Sequence, residues 1–199
     1  MDKNNILPFN QIQILILGDI SVGKTSLVKR FLEDVFTTER SHTIGIDFST
    51  KDIEIPEYKE TVKVKFWDTS GQESFQSITS AFYKQVDGIV ILFDITNNDS
   101  FLNVDHWIQR VSDNAKEGVL FYIVGNKSDC EEERKISKKD IENLVNKHKC
   151  KYFEISAKMN KNISLMILSM IKDYKEYTFK KKLKQKISLC KKFRKSICC

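Results

Sequence analysis

The stretch that decides the fold is Gly18–Thr25, which reads Gly-Asp-Ile-Ser-Val-Gly-Lys-Thr. It follows Ile12–Leu17, an apolar run typical of a buried strand, and it precedes Ser26–Glu33, which has a helical pattern. A strand, this loop and a helix in that order fit G-x-x-x-x-G-K-S/T, the pattern of a phosphate-binding loop. The alternative, a chance glycine-rich turn with a solvated lysine, leaves the flanking strand and helix unexplained.

The residue types in this loop suit the binding of phosphate. Gly18 and Gly23 permit backbone turns that aim N–H groups at phosphate oxygens, and the start of the helix adds a partial positive charge. Lys24 can reach the β- and γ-phosphates, and the Thr25 hydroxyl is placed to ligate Mg²⁺. The predicted phosphate-binding residues are Gly18, Asp19, Ser21, Val22, Gly23, Lys24, Thr25, Ser26 and, in a later segment, Gly71.

Length and composition restrict the chain to one compact domain with a short appendage. Its 199 residues are 41% hydrophobic and 30% charged, which excludes a collagen and a wholly disordered chain. No apolar run approaches the roughly 20 residues that cross a bilayer, and residues 1–10 do not resemble a secretory signal. The five cysteines are irregularly spaced, which favours a reducing cytosol over a disulfide framework.

Strand-like runs alternate with helix-like periodicity between residues 11 and 178. This predicts an α/β fold, with a six-stranded, mostly parallel sheet and helices on both faces. The candidate strands are Ile12–Leu17, Ile46–Ile55, Val62–Phe66, Gly88–Phe93, Val119–Val124 and Lys151–Ile155. In the second strand the hydrophobic alternation slips between Phe48 and Ile53, which indicates a bulge or a bend. We expect residues 1–10 to form a short N-terminal extension, residues 11–178 the domain and residues 179–199 a flexible basic tail.

The positive charge is concentrated at the C-terminal end. Residues 179–199 carry nine lysines and arginines and no acid, so residues 1–178 have a net charge of −3 although the whole chain has +6. A nucleic-acid-binding domain normally carries its positive patch on the folded face, so we expect no nucleic acid partner and keep a tail-driven nucleic-acid binder as a rival. Near an anionic membrane, each such cation contributes roughly 1 kcal/mol to adsorption.

The segment Asn126–Asp129, which reads Asn-Lys-Ser-Asp, follows a predicted strand and indicates guanine selection. The Asp129 carboxylate can accept from both N–H donors on the edge of guanine, whereas adenine would leave a buried anion unpaired. Lys127 can lay its stem along the base, and Asn126 can brace the loop. Phe36 fits either an edge-on contact with the base or a core position. The predicted guanine-binding residues are Phe36, Asn126, Lys127, Asp129, Ser156, Ala157 and Lys158.

A further stretch, Trp67–Glu73, carries residues for the γ-phosphate. Asp68 can hold Mg²⁺ through water, Gly71 can offer its N–H to the phosphate, and Gln72 can orient the attacking water. Thr43 offers a second hydroxyl to the metal. The sequence therefore predicts Gln72 as the catalytic residue. The predicted metal site consists of Thr25, Thr43 and Asp68.

Together these residues resemble the Rab family of small GTPases, within the Ras superfamily, from about Ile12 to Tyr177. The Rab-like stretches are Ile44–Phe48, Lys63–Thr69, Phe75–Tyr83 and the final Cys198-Cys199, and the first and third most resemble Rabs of the secretory route. The resemblance implies the P-loop small-GTPase fold, with five helices around six strands. It also implies that two loops, around Thr43 and Gln72, order with GTP and relax with GDP.

The resemblance further implies partners and a location. The partners are a guanine nucleotide exchange factor, a GAP, a GDP-dissociation inhibitor, a prenylation escort protein and effectors in vesicle transport, all acting on a monomer. The implied effector residues are Ile44, Phe48, Trp67 and Phe82, although the aromatic ones could instead only cover the core. Cys198 and Cys199 would carry two geranylgeranyl groups, which anchor the protein to the cytoplasmic face of endomembranes while it cycles with the cytosol. The ending is not a C-a-a-X box, because residue 196 is serine.

Ile20 departs from the family pattern, which has Ser or Gly at this position. A branched side chain there either points away without effect or crowds Gln72, the attacking water or an arginine from a GAP, which would slow hydrolysis. A GTP-binding scaffold with little turnover is therefore the alternative function, although Gln72 argues against it. A P-loop kinase or ATPase is a further rival, which Asp129 and the lack of an acceptor-substrate or lid insertion disfavour.

Overall fold

The computed structural model describes residues 11–37, 46–69 and 82–197, with side chains described up to Gln185. A six-stranded sheet lies at the centre, in the order β2-β3-β1-β4-β5-β6. Its strands are β1 Gln11–Leu17, β2 Ile46–Ile55, β3 Glu60–Thr69, β4 Gly88–Asp94, β5 Leu120–Asn126 and β6 Lys151–Glu154. β2 is antiparallel to β3, and the other neighbouring strands are parallel, so the predicted six-stranded, mostly parallel sheet is confirmed.

Five α-helices accompany the sheet within the described residues. They are α1 Lys24–Glu33, α2 Asn98–Leu102, α3 Val104–Asn114, α4 Lys138–His148 and α5 Ile163–Ile197. Local sequence explains two of their starts. The Asn97 side chain accepts hydrogen bonds from backbone N–H groups at the start of α2, and the Ser137 hydroxyl accepts one at the start of α4. α1 begins directly after the phosphate-binding loop.

Alternating side chains of β1 build two cores, one on each face of the sheet. Ile12, Ile14 and Ile16 cluster with residues of α1 and α5, whereas Leu15 and Leu17 cluster with residues of α3 and α4. Every residue of β4 is buried, as expected for a central strand that is covered on both faces.

The expectation of a bulge in β2 is wrong. β2 pairs with β3 in one constant register, from Ile46 opposite Thr69 to Ile55 opposite Glu60. The hydrophobic pattern slips because Phe48 projects to the face of the strand opposite to Ile53, and 57% of its surface is exposed. An exposed aromatic side chain, and not an inserted residue, therefore causes the break in the pattern.

The last helix continues past the predicted end of the domain at residue 178. Helical backbone runs through the lysine-rich segment to Ile197, and no proline or glycine interrupts it. The side chains change from buried near the start of α5 to exposed throughout residues 179–185. The domain boundary and the flexibility of the tail stay predictions. Within the described residues, no helix combines the length and the apolar character that spanning a bilayer requires.

Two ion pairs connect α5 to the turn between β2 and β3. Lys172 Nζ lies 2.7 Å from the Glu57 carboxylate, and Lys175 Nζ lies 2.5 Å from the Glu60 carboxylate. Lys175 also lies 3.8 Å from the centre of the Tyr58 ring. Exposed pairs of this kind contribute at most about 1 kcal/mol each, but together they fix the helix against the turn.

Asp87 joins four elements at the edge of the sheet where β4 begins. One carboxylate oxygen accepts from the Gln13 backbone N–H at 3.0 Å, and the other accepts from Lys116 Nζ and from the Tyr174 hydroxyl, both at 2.7 Å. Asp87 itself is buried. Its carboxylate thereby ties β1, the segment before β5 and α5 to the start of β4.

Replacing Asp87 by alanine should lower the free energy of unfolding by about 3 kcal/mol, because the Gln13 N–H and the Tyr174 hydroxyl lose their acceptor. Urea denaturation followed by circular dichroism measures this. Asp113→Ala is the control, since within the described part of the chain this exposed carboxylate on α3 accepts only from Gln109 of the same helix, and it should cost less than about 0.5 kcal/mol. Equal losses in the two variants would show that Asp87 is not an anchor.

Candidate nucleotide-binding site

The carboxyl ends of β1, β3, β5 and β6 lie at one edge of the sheet, because these strands are parallel. β1 leads into Gly18–Thr25, here called the P-loop. β5 ends at Asn126, and β6 ends two residues before Ser156. Ligands of open α/β sheets bind at this edge. The segments predicted to hold phosphate and guanine therefore lie in one place.

Both glycines of the P-loop are required by their surroundings. Gly18 has φ +138° and Gly23 has φ +98°, values that favour glycine. A Cβ on Gly18 would lie 2.1 Å from the Leu92 carbonyl oxygen, and one on Gly23 would lie 2.4 Å from Asn126 Nδ2. The loop thus approaches β4 and Asn126 more closely than any side chain would allow.

Lys24 is buried beneath the P-loop, with 6% of its surface exposed. Its Nζ donates to the carbonyl oxygens of Gly18 at 2.8 Å and Asp19 at 2.6 Å. Burial lowers the pKa of Lys24 from 10.5 to about 8, although the negative charges of Asp68 and Asp19 oppose the shift. A desolvated ammonium group held by the loop carbonyls is well placed to attract an anion.

The Asp19 side chain anchors the P-loop to α3. Its Oδ1 accepts from Trp107 Nε1 at 2.8 Å, and its Oδ2 accepts from Asn103 Nδ2 at 2.7 Å. This role was not predicted from the sequence. The sequence did contain a signal for it. An acidic side chain in a phosphate-binding loop would repel phosphate unless neutral hydrogen-bond donors held its carboxylate away from the ligand. Phosphate binding by Asp19 stays a prediction, and its backbone is the part available for it.

Thr25 and Asp68 lie together, as a shared metal site requires. The Thr25 hydroxyl is hydrogen-bonded to the Asp68 carboxylate, which is buried. Burial raises the pKa of Asp68, and the Thr25 hydrogen bond and the charge of Lys24 oppose that rise. Asp68 Oδ1 is buried and has no hydrogen-bond partner among the described residues. An oxygen-only donor set with an orphaned carboxylate oxygen fits Mg²⁺ or its bound water.

Asn126 joins two loops of the candidate site. Its side chain is buried, Nδ2 donates to the Val22 carbonyl oxygen at 2.8 Å, and Oδ1 accepts from the Ala157 N–H at 3.1 Å. The same amide therefore joins the P-loop to the loop after β6. This bridge sets the distance between the segments predicted to hold phosphate and guanine, here called the phosphate side and the base side.

Asp129 stands at the base side beside Ser156. The Ser156 hydroxyl donates to Asp129 Oδ1 at 2.6 Å. Burial by itself would raise the pKa of Asp129, but hydrogen bonds from Ser156 and from its own backbone outweigh burial and hold the pKa below its usual value. An open cavity of about 730 Å³ adjoins Asp129, Ser156 and Lys158. Lys127 pairs with Asp94, which fixes its stem at the end of β4.

Arg30 of α1 supports the base side, a role that was not predicted from the sequence. Its Nε donates to the Ala157 carbonyl oxygen at 2.9 Å, and its Nη2 donates to the Lys158 carbonyl oxygen at 3.0 Å. The guanidinium also lies 5.9 Å from the centre of the Phe36 ring. Phe36 is only partly buried against the core, so it is compatible with both roles left open by the sequence.

Some of the remaining predicted site residues lie in the described part of the chain, and others lie outside it. Ser21 is exposed in the P-loop with φ +64°, Ser26 lies in the first turn of α1, and Ile20 is 46% exposed. The residues outside the described part of the chain are Thr43, Ile44, Gly71, Gln72, Cys198 and Cys199. Their roles stay predictions.

Phe48, Trp67 and Phe82, here called the aromatic patch, lie side by side, and Trp67 directly precedes Asp68 in β3. The ring centres of Phe48 and Trp67 are 5.6 Å apart, and those of Trp67 and Phe82 are 4.6 Å apart. Trp67 and Phe82 pack partly against the core, whereas Phe48 is mostly exposed. The three residues predicted to meet therefore form one continuous aromatic surface.

Comparison with known proteins agrees with this geometry. The sequence model of the Ras family matches residues 13–176. Rab-13 of Rattus norvegicus is 40% identical over 161 residues, which cover 81% of this chain and 78% of that protein. Rab-10 of Diplobatis ommata and the GTP-binding protein ypt2 of Schizosaccharomyces pombe are each 39% identical, over 83% of this chain and 82% of their own length. The chain belongs to the Rab family of small GTPases.

Membership of the Rab family confirms the resemblance seen in the sequence, and it identifies the general activity of the protein. A Rab-family GTPase binds GTP and GDP, hydrolyses GTP and acts in vesicle transport. The P-loop kinase or ATPase is thereby set aside. The assignment of the P-loop to the phosphates and of Asp129 to the base stays a prediction.

The lowered pKa of Lys24 predicts how phosphate binding depends on pH. Without nucleotide Lys24 loses its proton near pH 8, and a bound anionic phosphate holds the proton on. Affinity for GDP should therefore fall above about pH 8 by up to about tenfold per pH unit. Fluorescence titration of nucleotide-free protein at fixed ionic strength measures this.

Guanosine is the control for the pH series, because it shares the ionisation of the base but has no phosphate to interact with Lys24. The ratio of GDP affinity to guanosine affinity should fall as the pH rises. A ratio that stays constant up to about pH 9 would contradict a role for Lys24 in phosphate binding.

Proposed function

We propose that this protein is a Mg²⁺-dependent switch that selects guanine and changes its affinity for effectors when it hydrolyses GTP. The observation that carries the proposal is the placement of Asp129. Its carboxylate has a lowered pKa, is held by Ser156, and is connected through Asn126 to the P-loop. A nucleotide with its phosphates at the P-loop presents the edge of its base to this carboxylate.

Asp129 selects guanine through the number and kind of its acceptors. Each carboxylate oxygen has two acceptor sites, so Oδ1 can bond Ser156 and still accept from the base. Guanine offers two neighbouring N–H donors on one edge. Adenine offers no such pair and would leave the anion without compensation for its lost hydration.

Replacing Asp129 by asparagine tests this assignment. The change exchanges one acceptor for a donor, so GTP affinity should fall at least about 100-fold. XTP affinity should rise, because xanthine carries an oxygen where guanine carries an amino group. Competition titrations with GTP, XTP and ATP measure the two affinities.

Asn126→Ala is the matched control, because it breaks the bridge between the loops and leaves the Asp129 carboxylate in place. It should weaken GTP and XTP alike. If Asp129→Asn leaves the ratio of GTP to XTP affinity unchanged, Asp129 does not read the base, and the proposed function loses its support.

The metal and the catalytic water complete the proposal. We assign Mg²⁺ to Thr25, Thr43 and Asp68, and the orphaned Asp68 Oδ1 beside the Thr25 hydroxyl supports this. When bound, Mg²⁺ neutralises charge on the phosphates. Gly71 would donate its N–H to the γ-phosphate, and Gln72 would orient the attacking water.

Loss of the γ-phosphate removes contacts from the loops around Thr43 and Gln72, and this is the proposed switch. Its reader is an effector that contacts Ile44 and the aromatic patch. The cycle requires an exchange factor, a GAP and a GDP-dissociation inhibitor. The exposed Phe48 ring supports an interaction surface at the patch, since large apolar groups in contact with water favour partner binding.

The C-terminal segment is proposed as the membrane anchor. Cys198 and Cys199 would each receive a geranylgeranyl group with the help of an escort protein. The nine cations of residues 179–199 add attraction to an anionic leaflet, and stable anchoring normally takes two such signals. We therefore propose the cytoplasmic face of an endomembrane as the site of action.

Ile20 favours a second candidate function, a GTP-loaded scaffold with slow turnover. Its branched side chain is 46% exposed on the P-loop. A GAP that inserts an arginine toward the phosphates would have to pass this side chain. Slow hydrolysis would lengthen the GTP-bound state and leave effector binding intact.

Single-turnover rates of GTP hydrolysis, measured without a GAP for Ile20→Ser and Gln72→Leu, distinguish a GTP-hydrolysing switch from a scaffold with slow turnover. Ile20→Ser should hydrolyse GTP several-fold faster than the natural chain. Gln72→Leu should be slower by about tenfold or more, with unchanged GTP affinity, because only the positioning of water is lost. Equal rates for the natural chain and Ile20→Ser would remove the case for a scaffold.

A further inference from the structure

The aromatic patch carries a cation at its centre. Lys65 Nζ lies 3.9 Å from the centre of the Trp67 ring and 4.4 Å from the centre of the Phe48 ring. The negative face of each ring attracts the lysine ammonium group held against it. The ammonium group is thereby fixed on the patch and does not extend freely into solvent.

The cross-strand partners leave the charge of Lys65 unbalanced. Lys65 stands opposite Thr50 in the ladder between β2 and β3, whereas Lys63 stands opposite Asp52. Residues directly opposite in an antiparallel pair share a face, so Asp52 is the neighbour of Lys63. Among the described residues, no carboxylate oxygen lies within 4.0 Å of Lys65 Nζ.

We propose that the aromatic patch binds a partner protein that presents a carboxylate between apolar side chains, and that Lys65 pairs with this carboxylate. This inference rests on the proposed function, because it gives the effector surface a partner chemistry. Lys65 is the residue that determines specificity, and the three rings supply the contact area.

The physical reason is the cost of covering a cation. A wholly apolar partner segment would bury the Lys65 ammonium group with only the rings for compensation. A basic segment would add repulsion. A carboxylate compensates the ammonium group for its lost hydration, and it meets a lysine that the rings have already oriented. Apolar segments that carry a carboxylate are therefore favoured over apolar segments that lack one.

A selection experiment tests the inference and does not require the natural partner. A phage-displayed library of a small helical scaffold with one randomised face is selected on the protein loaded with a non-hydrolysable GTP analogue. Binders that still recognise Phe48→Ala are discarded, so that those retained depend on the patch. Phe48 is exposed, so its truncation should leave the fold intact.

The affinities of the retained binders are then measured for the natural chain, Lys65→Gln, Lys65→Glu and Lys63→Gln. Carboxylates should be enriched on the randomised face. Lys65→Gln should weaken binding about tenfold, and Lys65→Glu should weaken it further. Lys63→Gln is the matched control, because it removes a charge from the same face two residues away, and it should change affinity less than about twofold.

Retained binders without acidic enrichment, or with equal affinity for Lys65→Gln, would overturn the inference and leave the proposed function standing. Binders that depend on the patch but bind the GDP-loaded protein equally well would instead count against the switch. Binding of phosphatidylserine vesicles that is lost in Lys65→Gln and kept in Lys63→Gln would assign the patch to a membrane, and would also overturn a protein carboxylate as the partner.

Discussion

The two halves of the nucleotide site are held together by the side-chain amide of Asn126. Its two hydrogen bonds reach Val22, 104 residues away in sequence, and Ala157, 31 residues away. Because the amide is buried, its removal would leave a carbonyl oxygen and an N–H without partners, which costs more than the bonds themselves contribute. Arg30 reinforces the same junction from α1. The distance between phosphate and base sides is therefore set by side chains and not by the sheet alone.

Sequence was sufficient where function is encoded in contiguous residues. The P-loop needs a strand, two glycines, a lysine and a helix in order, so Gly18–Thr25 was enough to predict the fold, and the structure places this loop directly after β1. The contacts of Asp19 with Trp107 and of Arg30 with Ala157 were not predictable, because the partners lie 88 and 127 residues away. The expected bulge in β2 failed for another reason. Periodicity records which side chains are apolar, whereas Phe48 is apolar and exposed.

The position of β2 at the edge of the sheet connects the fold to the interaction surface. As the antiparallel neighbour of β3, this strand sets Phe48 directly opposite Trp67, and β3 in turn ends beside the buried Asp68. One strand, β3, therefore carries both a ring of the aromatic patch and a candidate metal ligand, one residue apart and on opposite faces. A movement of Asp68 at the phosphate edge would therefore directly affect the neighbouring Trp67, which belongs to the surface proposed to bind a partner.

The continuation of α5 to Ile197 has a mechanical consequence. At 1.5 Å per residue, its 35 residues span about 50 Å, and the part beyond residue 178 accounts for about 28 Å. As long as that part stays helical, it is a stiff extension of the domain that leads toward Cys198 and Cys199. Close to where this extension begins, the ion pairs of Lys172 with Glu57 and of Lys175 with Glu60 connect α5 to the turn between β2 and β3. Any tilt of this extension relative to the sheet would strain these two ion pairs, which connect α5 to the hairpin that bears Phe48 and Lys65.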